Sequence, residues 1–300
     1  MSPEPIIVAQ NGRHYVYCSV HDPSSSGTVI DFAQNVIERG CSLGRARQLL
    51  RPFLNGGYVS DLRVSRRGRY VENIRPSQPD LLAVAARYAK FSPVAGHHPY
   101  LCDERGIAPE LLADDRVRDR LRHCPLRGSV IFPHWGSPDD SGGTERCLTG
   151  FEIKGRGVNM FSKGGRKGLW MSGGFDGDRV IAFAESGLDA LSYLATRGTT
   201  GDVRVASLSG KMNPTQPDLV ASAIARMGEG AYVVAAFDND DGGDQLTEQL
   251  VGILGTLDRP DLEFKDDRPL TRGADWNRVL MENRHANDHQ VGSLTPRFGR

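Results

Sequence analysis

The chain has 300 residues with 37 basic and 37 acidic side chains, so its formal net charge at pH 7 is zero. This length suits one large domain or two ordinary ones, and the neutral balance excludes a uniformly basic nucleic-acid-binding protein. No run of about 18 apolar residues is present, which predicts that no segment spans a membrane. The first ten residues lack the basic and apolar regions of a secretion signal.

The cysteines indicate a reducing compartment. Five are scattered along the chain, at Cys18, Cys41, Cys102, Cys124 and Cys147. An odd, dispersed set argues against a disulfide scaffold, and we therefore expect a cytoplasmic protein.

The charges are unevenly distributed along the chain. Residues 116–170 hold eleven basic and five acidic side chains, whereas residues 171–300 hold thirteen basic and twenty acidic ones. A basic segment beside an acidic one is typical of a track for a polyanion that leads to a cation site. The alternative is two solvated surfaces whose charges cancel.

The pattern predicts a small α+β unit over residues 1–57. Residues 14–20 alternate like a strand, Thr28 is placed to cap a helix over 29–39, and residues 42–54 form a second helix. An arginine-rich linker or exposed hairpin follows over residues 58–76.

Residues 77–175 are predicted to form a basic α+β subdomain. Its first part, to about residue 125, has helical spacing and includes a helix over 114–123. Strands are then expected over 130–132, 148–153 and 158–161, where apolar runs are separated by glycine and turn residues.

From residue 176 to 285 strands and helices alternate. Apolar strands are predicted at 180–184, 203–208, 232–237 and 262–265, with helices over 188–196, 216–227 and 243–254 between them. This alternation indicates βαβ units and a Rossmann-like parallel sheet. Residues 286–300 are predicted to be a flexible tail.

Acidic residues follow two of these strands. Glu185 ends the first strand, and Asp238 and Asp240 end the third. Because ligands bind at the carboxyl ends of parallel strands, these oxygens can converge on one divalent cation. Ligand sets of oxygen alone favour Mg²⁺ or Mn²⁺ over zinc. The alternative is that these residues only build the turns after the strands.

The acidic motifs resemble the Toprim family. Glu185-Ser-Gly187 with Asp189, followed by Asp238-Asn-Asp240, is similar to its strand-terminal Glu-Gly and Asp-x-Asp motifs. The serine between glutamate and glycine is a departure from the family pattern. The fold is shared by bacterial primases, topoisomerases, some nucleases and recombination mediators, so the resemblance implies an α/β Toprim-type sheet.

Motifs upstream and downstream resemble bacterial DNA primase and its mobile-element relatives, in the family's order. They are Tyr17–Phe32, Tyr100–Ile107, Val130–Pro133, Leu148–Arg156, Lys167–Trp170 and Gly273–Asn277. The first is similar to half of a primase zinc ribbon, and the last to a motif near the end of mobile-element Toprim proteins. The resemblance therefore covers most of the chain.

We expect the ribbon-like unit to be a remnant that binds no zinc. Cys18 and His21 form one ligand pair, but zinc ribbons need four soft ligands, and only His14 precedes them. Cys41 is not at ribbon spacing.

The resemblance implies phosphoryl transfer with Mg²⁺ or Mn²⁺. Asp238 and Asp240 would hold the metal, and Glu185 would be a further ligand or the general base. Asp189 would be another ligand or a brace for nearby basic groups. Template and triphosphate would be held by the basic segment, through Lys154, Arg156, Lys163, Arg166 and Lys167. Phe161 and Trp170 would stack on bases or belong to the core.

Three functions agree with these features. The first is a primase-like nucleotidyltransferase that makes short RNA primers on single-stranded DNA from nucleoside triphosphates. Its partner would be a replicative helicase or a replication protein of a plasmid or other mobile element. The second is a Toprim metal-dependent nuclease, and the third a non-catalytic nucleic-acid-binding accessory protein of a mobile element.

Overall fold

The structure is a computed structural model that describes residues 6–11, 14–20, 26–53, 79–94, 96–138, 145–197 and 201–293. The chain divides into two compact units, Met1–Pro76 and Ser77–Arg300. The predicted linker over residues 58–76 lies outside the described residues, as does His21.

The N-terminal unit begins with a three-stranded antiparallel sheet. Its strands are β1 (Ile6–Asn11), β2 (His14–Ser19) and β3 (Ser26–Thr28). The predicted strand over 14–20 is thus present as β2. Cys18 lies in β2, and its thiol donates to the carbonyl of Ser19. Because His21 is not described, the predicted absence of a zinc ribbon stays a prediction.

Two helical segments complete the described part of this unit. Helix α1 (Val29–Phe32) begins where the Asp31 carboxylate accepts hydrogen bonds from Thr28, and it continues into a π-helical turn over Ala33–Ile37. The helix predicted over 29–39 is therefore shorter and changes its winding. Helix α2 (Leu43–Leu50) passes into a 3₁₀ turn that ends at residue 53, close to the predicted 42–54.

The second unit contains an antiparallel sheet whose neighbouring strands follow one another along the chain. Its strands are β4 (Ser92–Pro93), β5 (Arg122–Cys124), β6 (Ser129–Gly136), β7 (Cys147–Gly155) and β8 (Val158–Phe161). Helices α3 (Leu81–Tyr88) and α4 (Pro109–Ala113) precede or join its strands, and a π-helical turn lies at Tyr100–Glu104. The strands expected within 130–161 are present.

The prediction of a helix over residues 114–123 is wrong. The chain there forms turns and then β5, because the Asp114 carboxylate accepts a hydrogen bond from the N–H of Arg116 at 2.8 Å. An aspartate that bonds its own chain two residues on favours a turn over a helix. The alternating charges that suggested a helical face belong to this turn.

The second sheet is the predicted parallel one. Its strands are β9 (Trp170–Met171), β10 (Val180–Ala184), β11 (Val203–Ser207), β12 (Tyr232–Ala235) and β13 (Glu263–Asp266). The spatial order is β13-β12-β10-β11-β9, and only the edge strand β9 is antiparallel. This mixed α/β architecture confirms the predicted fold class.

Helices cover both faces of the parallel sheet. They are α5 (Gly187–Arg197), α6 (Gln216–Ala225), α7 (Asp241–Gly255) and α8 (Trp276–Ser293). Leu191 of α5 and Leu280 of α8 belong to one buried cluster, whereas Leu219 of α6 and Leu250 of α7 belong to another. The first cluster also includes Phe132 of β6, so the antiparallel sheet shares a core with the parallel one.

Helix α8 extends past position 285, where the predicted domain ends, and residues 294–300 are not described. The predicted division into segments 77–175 and 176–285 stays a prediction, since both lie in one compact unit. No helix within the described ranges combines the length and apolar composition that crossing a membrane requires.

Candidate active site

Two neighbouring strands of the parallel sheet end in acidic residues. Glu185 follows β10 directly, and Asp238 is the third residue after the end of β12. From β10 the chain crosses over α5 to β11 on one side, and from β11 it crosses over α6 to β12 on the other. The strand order therefore reverses between β10 and β12, which is where α/β sheets open a crevice for ligands. This position explains why acids so far apart in sequence meet.

Asp238 lies at the centre of the cluster. Its Oδ1 atom is buried and has no hydrogen-bond partner. Burial, together with Asp189, Glu185 and two further carboxylates, raises the pKa of Asp238 to about 9. A buried carboxylate oxygen without a partner carries a free-energy cost, so this atom is available to a ligand.

Asp240 and Glu185 are both close enough to Asp238 to act on its charge. Asp240 is exposed, and its Oδ1 accepts hydrogen bonds of 2.9 Å from the N–H groups of Gly242 and Gly243, which begins helix α7. Burial raises the pKa of Glu185, the negative charge of Asp240 raises it further, and Lys154 opposes both. The carboxylates that follow the two strands therefore repel each other.

Asp189 lies in the first turn of α5 and is only 7% exposed. The hydroxyl of Ser186 donates to its Oδ2 at 2.5 Å. Burial and the nearby Asp275 raise the pKa of Asp189 to about 7. Ser186, the residue between Glu185 and Gly187, therefore holds the Asp189 carboxyl in place.

Two glycines allow the backbone to approach closely at this site. A Cβ atom on Gly243 would lie 1.8 Å from the carbonyl oxygen of Asp238, and one on Gly187 would lie 2.2 Å from the ring of Phe132. Neither distance is possible for a larger residue without a shift of the chain. Glycine at both positions is therefore required for the acids to converge.

Sequence reasoning missed Glu152, which lies in β7. This buried carboxylate accepts the Gly187 N–H at 2.9 Å through Oε2, and its Oε1 lies 3.1 Å from Lys154 Nζ. It thereby fastens the turn after Glu185 to the antiparallel sheet. Glu152 and Lys154 are two residues apart in a predicted strand, so the sequence places them on one face of it. The sequence does not indicate that this face packs against the turn after Glu185.

The region that carries the acids matches a known protein family. Residues 182–280 match the family model described as Toprim-like. These residues form a Toprim-like domain. The match runs from β10 into α8 and includes all four acids described above, which confirms the predicted resemblance to Toprim proteins. No match was found among curated protein sequences.

Solved structures of primases are also similar to the chain. The primase fragment of the bacteriophage T7 primase-helicase protein is 13% identical, with a TM-score of 0.41, 73% of this chain covered and 82% of that chain. A chain from a bacteriophage T7 lagging-strand DNA polymerase complex with primase domains, an RNA/DNA hybrid and dTTP is 13% identical, with a TM-score of 0.40 and coverages of 66% and 90%. A DNA primase domain from Pseudomonas aeruginosa is 16% identical, with a TM-score of 0.34 and coverages of 67% and 64%.

A second residue missed by sequence reasoning, Asp275, borders the acids of the Toprim-like domain. Its carboxylate accepts the N–H of Arg278 at 2.6 Å and so caps helix α8. The adjoining Asn277 donates to the carbonyl of Arg105 at 2.8 Å and to the hydroxyl of Ser192 at 3.1 Å. The Asp-Trp-Asn motif thus connects α8 to α5. This motif was identified in the sequence by resemblance, but no role was predicted for Asp275.

Two of the five predicted basic residues lie beside the acids of the Toprim-like domain. Lys154 contacts Glu152, and Lys167 Nζ donates to the carbonyl of Lys211 at 3.2 Å. Burial lowers the pKa of Lys167, while Glu152 and Glu185 oppose that shift. Both ammonium groups therefore face the carboxylates that an anionic substrate would approach.

The other three basic residues lie apart from the acids. Arg156 is exposed and forms an ion pair with Glu104 at 2.7 Å, and Lys163 is exposed. Arg166 donates to the carbonyls of Ser137 and Pro138 in the loop after β6. Their predicted part in binding nucleic acid or triphosphate stays a prediction.

The two aromatic residues considered for base stacking differ in exposure. Trp170 is 1% exposed and donates from its indole to the carbonyl of Arg120 at 2.8 Å, so it is a core residue. Phe161 is half-buried and packs edge-on against His134, with ring centroids 5.2 Å apart. Stacking on Trp170 would require the core to open.

The donor set of the Toprim-like domain fits a divalent cation. No three histidine, cysteine or carboxylate groups of the described residues are arranged as a ready-made metal site. Burial and neighbouring carboxylates nevertheless raise the pKa of Asp238, and its Oδ1 is buried without a partner. A cation with oxygen ligands would relieve the repulsion and supply that partner.

Proposed function

We propose that this protein is a metal-dependent nucleotidyltransferase that synthesises short RNA primers on single-stranded DNA. The observation that carries the proposal is the unpartnered Oδ1 of Asp238, at a strand-order reversal between acids and two lysines. Acids of this kind suit a cation, and the lysines suit the phosphates that a cation would bring with it.

The surroundings of each acid suit it to a different role in the proposed reaction. Asp238 and Asp240 would hold Mg²⁺ or Mn²⁺, which when bound would neutralise charge on the reacting phosphates. Glu185 would accept the proton of the attacking hydroxyl, because its raised pKa brings it nearer to the working pH of a general base. Asp189, held by Ser186, would position the others.

The lysines and the exposed basic residues would serve different parts of the substrate. Lys154 and Lys167 would contact the triphosphate, since they lie beside the acids. Arg156 and Lys163 would contact the phosphates of a single-stranded template, together with Arg166. Each template contact that is removed should lower the log–log salt slope of binding by about 0.7.

The proposed activity implies a cellular setting. A protein of this activity works in the cytoplasm beside a replicative helicase or a replication protein of a plasmid or other mobile element. These partners follow from the proposed reaction, because a primer is useful only where a strand has been opened.

The experiment that tests the proposal is incubation with single-stranded DNA, labelled nucleoside triphosphates and Mg²⁺ or Mn²⁺. The native chain should give labelled oligoribonucleotides, Asp238→Asn should give none, and Asp241→Asn should match the native chain. Asp241 is the control because it is adjacent in sequence, 95% exposed at its side chain and paired with Arg272. Shortened DNA would replace the proposal with a nuclease, and binding without a product would replace it with an accessory protein.

A further inference from the structure

Lys167, which lies beside the acids, is held by hydrogen bonds at both of its ends. At the side chain, Nζ donates to the carbonyl of Lys211 at 3.2 Å. At the backbone, the carbonyl of Lys167 accepts the Nδ2 group of Asn213 at 3.0 Å. A lysine side chain is long and flexible, so fixing its ammonium group in one place has an entropic cost. Contacts at both ends limit where this ammonium group can lie.

The next carbonyl along the chain is also fixed by side chains. The carbonyl of Gly168 accepts hydrogen bonds from Gln216 Nε2 at 2.9 Å and from His134 Nδ1 at 2.8 Å. Gln216 is 0% exposed, and burying an amide is unfavourable unless its polar atoms have partners. A Cβ atom on Gly168 would lie 2.2 Å from the carbonyl oxygen of Trp135, so the segment has no room to shift towards β6.

Gln216 also shapes the loop that accepts the ammonium group. Its Nε2 donates to the carbonyl of Leu208 at 2.8 Å, and its Oε1 accepts the N–H of Asn213 at 2.9 Å. Between these contacts, Ser209 has a φ angle of 58°, and within the described ranges it is the one residue other than glycine with a positive φ. Such a conformation persists where the surrounding structure enforces it. The buried amide therefore fixes both ends of the loop over residues 208–213.

The same loop reaches the acids of the Toprim-like domain. The N–H of Gly210 donates to the carbonyl of Glu185 at 2.9 Å. A Cβ atom on Gly210 would lie 3.7 Å from Lys167 Nζ, and the charges of Glu152 and Glu185 both act on that ammonium group. The start of α6, the loop over 208–213 and the segment at 167–168 thus form one hydrogen-bonded network that ends at the acids.

We propose that Asn213 and Gln216 are positioning residues, which hold the Lys167 ammonium group where it meets a nucleoside triphosphate. This inference rests on the proposed function, which assigns the triphosphate to Lys167. The two amides act through the segment at 167–168 and through the loop over 208–213. A cationic donor that is already in place loses less conformational freedom when the phosphates bind, so the affinity for the triphosphate is higher.

Substitutions of Asn213 separate the contact with Lys167 from the start of helix α6. Asn213 Oδ1 accepts the N–H groups of Thr215 at 3.0 Å and Gln216 at 2.9 Å, whereas Nδ2 donates to Lys167. Asn213→Asp keeps the acceptor oxygen and loses the donor. Asn213→Ser does the same without adding a charge, because a serine hydroxyl also accepts at the start of a helix. Asn283→Asp is the matched control, at an exposed position of α8.

Calorimetry with ATP and Ca²⁺ measures nucleotide binding without primer synthesis. We expect Lys167→Ala to weaken ATP binding at least about 10-fold, and each Asn213 variant to weaken it about 5-fold, whereas Asn283→Asp should bind ATP as the native chain does. Adding Asn213→Ser to Lys167→Ala should weaken binding no further, because Asn213 acts through that lysine. During primer synthesis, Asn213→Ser should raise the KM for nucleoside triphosphate about 5-fold and change kcat less than about 2-fold.

The outcomes distinguish this inference from the proposed function. Native ATP affinity in both Asn213 variants, with affinity lost in Lys167→Ala, would overturn the inference and leave the proposed function intact. A further loss in the double variant would also overturn it, since Asn213 would then act elsewhere. The expected binding pattern without any primer would support the inference and overturn the proposed reaction. ATP binding that does not depend on Lys167 would overturn both. Unchanged thermal unfolding verifies that each variant is folded.

Discussion

Two sets of carboxylates lie within the Toprim-like domain, and their surroundings differ. The arginine-paired acids, Asp241, Asp244 and Asp266, bind Arg268 or Arg272. The unpaired acids form the second set, and they are Glu185, Asp189, Asp238 and Asp240. No arginine or lysine of the described residues lies within ion-pair distance of the unpaired acids.

Carboxylates of the two sets have pKa shifts of opposite sign. Hydrogen bonds from Arg268 and Arg272 hold the pKa of Asp244 below its usual value, and Arg268 does the same for Asp266. Burial and mutual repulsion raise the pKa of Asp238 to about 9. Acids that stabilise a fold have their partners within the chain, whereas acids left in repulsion are suited to a partner from outside.

The largest expected effect is on activity. Asp238→Ala and Asp240→Ala should each lower primer synthesis at least about 1,000-fold, because the ligands for the cation are lost, while Asp241→Ala should change it less than about 2-fold. Single-turnover rates with Mg²⁺ provide the measurement, and circular dichroism verifies the fold. A native rate in either of the first two variants would remove the distinction between the two sets.

A smaller but still large effect is expected on stability at the turn between the two sets. Gly243→Ala places a methyl group against the Asp238 carbonyl and should lower the free energy of unfolding by about 2–3 kcal/mol. Gly252→Ala in the same helix meets open space and should raise it by about 0.5–1 kcal/mol. Denaturant unfolding compares the two variants, and equal effects would contradict the close approach at Gly243.

The pH dependence of stability should expose the repulsion among the unpaired acids. In chelator, Asp238→Asn should raise the free energy of unfolding by about 1–2 kcal/mol at pH 8. The folded pKa of Asp238 is raised to about 9, so the native state holds a proton that the unfolded state releases above pH 4. The native chain therefore loses stability as the pH rises between these values, and the advantage of the variant should vanish near pH 4. An advantage independent of pH would indicate packing instead.

The smallest effect should have the opposite sign. Asp266→Asn should lower the free energy of unfolding by about 0.5 kcal/mol at pH 7, because an exposed ion pair with Arg268 contributes little. The folded pKa of Asp266 is lowered, so its contribution is present above the unfolded pKa and is lost as the pH falls through the folded one. Urea titrations at pH 7 and pH 2.5 should show a difference only at the higher pH.

The sequence predicted the parallel sheet and its acids because these features are local. Strand β10 is a run of five apolar residues followed by Glu185, and the apolar residues of β12 are likewise followed by Asp238. Glu152 and Asp275 could not be placed, since their roles depend on how β7 and α8 pack against α5. The pairing of Asp244 with an arginine could not be predicted from the sequence either, because its partner Arg268 lies 24 residues away.

The contact between Gly187 and the antiparallel sheet limits how the chain can be divided into fragments. The family match begins at residue 182, yet the Gly187 N–H is satisfied by Glu152, and its Cα packs where Phe132 leaves no room for a side chain. A fragment that starts at residue 176 would keep every acid and lose both supports of the turn after Glu185. We therefore expect a fragment with an intact site to need residues from before β6, so the unit that folds would be larger than the family match within it.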